Sequence, residues 1–91
     1  MSVTVRLPAQ LRSLTGGVGE VEVEATTVGG ALKALDAAHP GVADRLFDEA
    51  GSLRRFVNVF LDEEDIRFLD GLESPVADGQ TVSVVPAVAG G

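Results

Sequence analysis

The chain closes on Gly90-Gly91, directly behind Val82, Ser83, Val84, Val85, Pro86, Ala87, Val88 and Ala89. A glycine pair has no Cβ and adopts backbone angles closed to other residues. It can thread a narrow channel and set its α-carboxylate deep inside another protein. A carboxylate is a poor electrophile until its oxygen becomes part of a good leaving group. The carbonyl carbon is then open to attack. The side chains offer no rival chemistry. With no cysteine in the sequence, a thiol nucleophile, a thiolate zinc site, a disulfide and a cysteine-held iron–sulfur cluster are all excluded. His39 is the single histidine, so a His-rich metal site is excluded as well. Beside Pro40 it reads as a helix-end residue, without the partners of a catalytic triad. No general acid, nucleophile or metal constellation is in view. The reactive group is therefore expected to be Gly91 itself, with Ala87, Val88, Ala89 and Gly90 as the thread, and no bound cofactor.

A tail needs a body to present it. Ninety-one residues make one domain, and a chain of this size buries roughly 60–65% of its unfolded surface. The expected division is a folded domain over residues 1–86 and a flexible tail over 87–91. A hydrophobic fraction of 45% and a charged fraction of 23% are ordinary for a globular protein. No run of eighteen apolar residues is present, so no transmembrane helix is expected. The first residues lack the charged and apolar regions of a signal peptide, and the cytoplasm is the expected location. A formal net charge of −7 argues against nucleic acid as a partner and favours basic protein surfaces.

Val3, Val5 and Leu7 alternate with polar residues, which predicts a strand with one buried face, ended by Pro8. Gly16-Gly17 forms a turn and lacks the setting of a phosphate cradle. Val21 and Val23 alternate with Glu20, Glu22 and Glu24, predicting the second arm of a hairpin. Thr26-Thr27 offers a helix N-cap, and Val28, Ala31, Leu32, Leu35 and Ala38 fall on one stripe. His39-Pro40-Gly41 stops that helix. Residues 42–47 read as a short second helical turn and 48–52 as a loop. Residues 56–61 carry the strongest strand signal. Asp62, Glu63, Glu64 and Asp65 form a charged turn, residues 66–69 a shorter strand, and Asp78-Gly79 another turn. Residues 81–85 alternate as a last strand, ended by Pro86. The order β-β-α-β-β-β suits an α+β β-grasp, or ubiquitin-like, fold: one mixed sheet with one main helix across one face. The last strand is expected at the centre, parallel to the first.

At this point the sequence resembles the ThiS/MoaD family of sulfur-carrier proteins. The resemblance rests on Thr27-Val28-Gly29 before the helix, Phe56-Val57-Asn58-Val59, and Ala77-Asp78-Gly79, and it rests most specifically on the ending. Within the family, the Pro86-Ala87-Val88-Ala89-Gly90-Gly91 form, the acidic turn and Arg67-Phe68 are similar to the CysO-type branch of cysteine biosynthesis. Many family tails carry Pro-Pro where this chain has Pro86-Ala87, which counts against a molybdopterin role. The resemblance implies an ATP-dependent, E1-like adenylating enzyme that converts the Gly91 carboxylate to an acyl-adenylate. Sulfide or a persulfide then displaces AMP, leaving a thiocarboxylate. It further implies a sulfur-accepting synthase, with a PLP-dependent cysteine synthase favoured, and a processing metalloprotease that releases cysteine. Two alternatives stay open. One is the small subunit of molybdopterin synthase or a thiamine-thiazole sulfur carrier. The other is a ubiquitin-like modifier or adaptor.

The helix covers only one face of the sheet. If Val57, Val59 and Leu61 enter the core, Phe56, Asn58 and Phe60 face the other way. Phe56 and Phe60, with Val85 and Arg6 on neighbouring strands, then form an exposed docking patch. The competing expectation is that residues 48–55 fold over part of it. The acidic residues 62–65 do not match a calcium loop and read as a solvated turn. Arg54-Arg55 reads as a surface pair, with partner contact as the lesser option.

Overall fold

The computed structural model describes residues 1–86. The tail residues Ala87, Val88, Ala89, Gly90 and Gly91 lie outside them, as does the expected boundary between domain and tail. Strands β1 (Ser2–Arg6) and β2 (Glu20–Glu24) form the predicted antiparallel hairpin, Val3 opposite Val23 and Val5 opposite Val21. Helix α1 (Val28–Ala38) follows, then a short α2 (Val42–Leu46), β3 (Val57–Leu61), β4 (Glu64–Asp65) and β5 (Thr81–Pro86). The strand order across the sheet is β2-β1-β5-β3-β4. β5 is central, parallel to β1 and antiparallel to β3. This is the β-grasp arrangement.

Period-two alternation sends Val3, Val5, Val59, Val82 and Val84 to one face of the sheet, where they are buried. Val28, Ala31, Leu32 and Leu35 of α1 pack onto that face with no exposed surface. The stripe ends there. Ala38, expected on it, is exposed at the last position of the helix. The Thr27 hydroxyl caps α1 by accepting from the Gly30 amide at 3.0 Å. At the other end the Asp36 carboxylate accepts from the Gly41 and Ala43 amides, tying α1 to α2. Gly29 serves packing. A Cβ there would stand 3.1 Å from the Leu72 carbonyl oxygen, so the 71–73 turn lies directly against the helix start.

Two regions depart from expectation. Residues Ala9–Thr15, unassigned from sequence, form a 3-10 helix whose Leu11 and Leu14 pack against the core. Residues 66–69 are not a strand. Ile66–Phe68 is a 3-10 turn, and the fourth strand is the pair Glu64–Asp65 inside the expected charged turn. The cause is Asp65, whose carboxylate accepts from the Arg67 amide at 2.9 Å and bends the chain after two paired residues. The apolar residues then separate: Ile66 enters the core while Phe68 is 84% exposed.

Candidate functional site

β5 carries the chain to Pro86, the last described residue. Its start is pinned on two sides. The Asp62 carboxylate accepts from the Thr81 amide at 3.0 Å and from the Gln80 side-chain amide at 2.9 Å. Asp62 itself stands at φ 54 in the left-handed region, where Asp is tolerated better than most residues. On the other side, the Ser2 amide donates to Asp78 at 2.8 Å and the Gly79 amide to the Ser2 carbonyl at 2.8 Å. Its far end is set by register, with Pro86 opposite Val57 on β3. The body thus fixes both the direction and the level at which β5 reaches Pro86.

The sheet face away from α1 is open. Register brings three of the four expected patch residues onto it, while Phe56 stands in the turn just before β3 and not in the expected strand. Phe60 lies opposite Ser83, and Ser83 pairs with Arg6 on its other side. Val85 lies opposite Asn58, two residues from Phe60 on the same face of β3. Phe56 is 58% exposed and Val85 42%, while Phe60 is partly covered. Residues 48–55 do not fold over Phe56. They turn the other way, with Leu53 bridging to Phe47 and the Arg54 guanidinium donating to the Asp44 carbonyl. Arg6 is engaged: its guanidinium meets Glu20 at 3.1 Å, so its charge is locally matched. A depression of about 710 Å³ opens beside it, over Thr81 and Ser83, and is bounded by Glu64 and Leu69. Leu69 was not singled out from sequence, because a strand over 66–69 hides which apolar residues are left outside.

The acidic turn divides into two kinds of residue. Glu63 and Glu64 are exposed. Asp62 and Asp65 are structural, the first through β5 and the second through Arg67. The Asp65 side chain is only 9% exposed, and the Arg67 guanidinium meets it at 2.6 Å. Hydrogen bonds from the Arg67 side chain, then from its amide, hold the Asp65 carboxyl below its ordinary value near 3.8 against the opposing effect of burial. The folded state therefore holds this proton more weakly than the unfolded chain. The clasp contributes fully above that ordinary value and fades as pH falls through the lower folded one. Asp65→Asn lacks the contribution. Its stability deficit should be constant near neutral pH and shrink in acid below about 4. Urea midpoints of both proteins across the acid range test this, and a deficit that ignores pH would contradict it.

Among the described residues, no three histidine or acidic side chains come together as a metal site, and no helix is long and apolar enough to cross a membrane. Among the described residues, the geometry offers a central strand that runs to Pro86 beside an open face with an apolar spot.

Residues 5–91 match the model of the ThiS family. The chain is 44% identical over 93 residues to the sulfur carrier protein CysO of Mycobacterium tuberculosis (strain ATCC 25618 / H37Rv), with 100% of each chain covered. Among solved structures it is similar to one described as the Amycolatopsis orientalis BexX/CysO complex, with a TM-score of 0.91 and 45% identity. That match covers 98% of this chain and 99% of the other. It is also similar to the crystal structure of SAMP1 from Haloferax volcanii, at a TM-score of 0.85 and 33% identity over 100% of both chains.

Proposed function

The chain belongs to the ThiS family, and from that membership we propose that it carries sulfur on its own C-terminus. The Gly91 carboxylate oxygen attacks the α-phosphate of ATP in a partner's active site, and pyrophosphate leaves. Sulfide, free or drawn from a persulfide, then attacks the carbonyl carbon. The new C–S bond forms as the C–O bond to AMP breaks, which leaves a thiocarboxylate. The sulfur is anionic and attacks the next acceptor directly. With no cysteine in the sequence, none of the protein's own side chains diverts the acyl-adenylate into a thioester.

One observation carries this reading: the whole-length identity of 44% to a sulfur carrier, in a family match that runs through residue 91. We extend the reading to cysteine biosynthesis as the pathway, with a PLP-dependent synthase as acceptor, a processing metalloprotease downstream and the cytoplasm as the setting, as the ThiS/MoaD resemblance implies. A second reading has its own support in the 33% identity to SAMP1, a small archaeal modifier protein. It is a protein modifier, in which a lysine amine takes the place of sulfide and an isopeptide bond forms.

The test is ATP–pyrophosphate exchange by the cognate activating enzyme. Exchange should require this protein and be followed, on adding sulfide, by a thiocarboxylate. Isopeptide-linked products without thiocarboxylate would favour the modifier reading. The open face is proposed as the surface that docks on that enzyme. Phe60→Asp places a charge in its centre, between Asn58 and Ser83. It should lower kcat/KM for adenylation by about 100-fold, the effect of losing a buried aromatic anchor, with the fold intact by circular dichroism. Unchanged adenylation would remove the patch from the interface.

A further inference from the structure

Sulfide is one nucleophile that an acyl-adenylate at Gly91 can meet, and a primary amine is another. The sequence restricts the second kind severely. Lys33 is its single lysine, and no cysteine competes with it. The α-amine of Met1 is held by the Glu24 carboxylate at 3.2 Å. Lys33 is exposed on α1 and makes no ion pair among the described residues.

A groove of about 520 Å³ lies beside it, between α1, α2 and the 71–73 turn. Lys33 lines this groove together with Gly29, Gly30, Ala43, Phe47 and Leu72. Side chains three and four positions away are the neighbours of a helical residue. Those of Lys33 are Gly29, Gly30, Asp36 and Ala37. None is long, and the Asp36 carboxylate is taken up by the Gly41 and Ala43 amides. The Lys33 amine is therefore uncrowded, on a largely apolar wall. The segment that must reach it, Ala87-Val88-Ala89-Gly90-Gly91, has no side chain larger than valine. It spans up to about 17 Å beyond Pro86. Lys33 lies on the solvent side of α1, across the sheet from the face proposed to dock on the activating enzyme. A docked copy turns its own Lys33 away, so the acceptor is a second copy.

We propose that Lys33 is a self-conjugation site, where the groove seats the tail of a second copy and the amine takes its activated Gly91. The Lys33 nitrogen attacks the Gly91 carbonyl carbon. The N–C bond forms as the C–O bond to AMP breaks. AMP leaves with the electron pair, and the protons released from the nitrogen pass to water. The donor copy has then lost its free carboxylate and can no longer be loaded with sulfur. The acceptor keeps its own Gly91, so a chain can grow. Sulfide and Lys33 thus compete for one intermediate, and conjugation marks a shortage of sulfide. The inference rests on the activation step of the carrier reading and adds a second fate for its product.

The experiment incubates the protein with its cognate activating enzyme and ATP, with and without added sulfide. Without sulfide a covalent dimer should appear, lighter than two chains by one water, with fragment ions joining Gly91 to Lys33. Added sulfide should replace it with thiocarboxylate. Lys33→Arg keeps the positive charge but presents a guanidinium that does not shed its proton to become a nucleophile. It should cut the dimer by about ten-fold or more, while ATP–pyrophosphate exchange stays within about two-fold of wild type. Ala43→Gln narrows the groove from the α2 side. It should slow dimer formation about ten-fold with exchange unchanged, because it displaces the reacting atoms. Wild-type exchange in the same series is the control on the activation step. If exchange proceeds and no dimer forms, the inference is overturned and the carrier reading stands. A linkage at Met1, a cyclised monomer or an undiminished dimer from Lys33→Arg overturns it as well. Equal dimer rates for Ala43→Gln and wild type overturn the seating of the tail in the groove. If wild type supports no exchange, the activation step itself fails and the inference falls with it.

Discussion

Deleting Gly91 should abolish thiocarboxylate formation while leaving the thermal midpoint of the protein unchanged. The deletion does not remove a carboxylate, because Gly90 then supplies one. It withdraws that carboxylate by one residue, about 3.3–3.6 Å. Reacting atoms must meet at near-contact distance, and a displacement of about 1 Å already costs on the order of 100-fold in rate. A withdrawal several times larger should take adenylation below detection. The core of the domain is built from residues such as Val59, Val82 and Leu35, none of which the deletion touches. The paired measurement is carrier-dependent pyrophosphate exchange beside thermal unfolding. A shortened chain that exchanges at the normal rate would place the chemistry elsewhere.

The second large effect concerns the body. Leu35→Ala should destabilise the domain by about 2–5 kcal/mol, the range for emptying a fully buried leucine site. Leu35 has no exposed surface and packs among the residues that α1 lays on the sheet. Domains of this kind have roughly 5–15 kcal/mol of stability in all, so the loss is a large share of it. The functional consequence follows from the packing. Val82 and Val84 of β5 belong to the same core, so loosening α1 loosens the strand that leads to Pro86. Urea unfolding should show a lowered midpoint with an unchanged slope. A loss under about 1 kcal/mol would mean that the core collapses around the gap or is held elsewhere.

Most of the fold was legible because its elements obey a single period. Val3, Val5 and Leu7 alternate cleanly, and so do Val82 and Val84. Val28, Ala31, Leu32 and Leu35 repeat at helical spacing. Each of these patterns is set by one buried face, which is a local property of sequence. The central position of β5 also followed, since a hairpin, a crossing helix and returning strands leave few other ways to close the sheet. The misplacement of β4 had a different origin. Ile66, Phe68 and Leu69 look like strand residues, but Asp65 offers its carboxylate to the Arg67 amide at 2.9 Å. That short-range hydrogen bond outweighs the weak propensity of four residues. The 3-10 helix at Ala9–Thr15 carries its signal in Leu11 and Leu14, three apart, a spacing that neither the strand nor the α-helix template isolates.

The candidate site was legible in a similar way. Phe60, Val85 and Arg6 reach one face because alternation on three strands puts them there, whereas Phe56 falls in the turn before β3. The pairing of Arg6 with Glu20 was not visible, since it depends on the hairpin register. Nor was the split of the acidic turn. Asp62 and Asp65 hold backbone in place, and only Glu63 and Glu64 are left to face a partner. Residue type alone does not separate the two roles.

The central claim is that the working atom of this small acidic protein is the carbonyl carbon of Gly91. Intact-mass spectrometry of the protein drawn from its native cell, grown with ample sulfur, tests it most directly. The account predicts a population heavier by the exchange of one oxygen for sulfur, with fragment ions placing the whole difference on Gly91. A mass equal to the unmodified chain under every sulfur supply, or the added sulfur located on any residue other than Gly91, would contradict it.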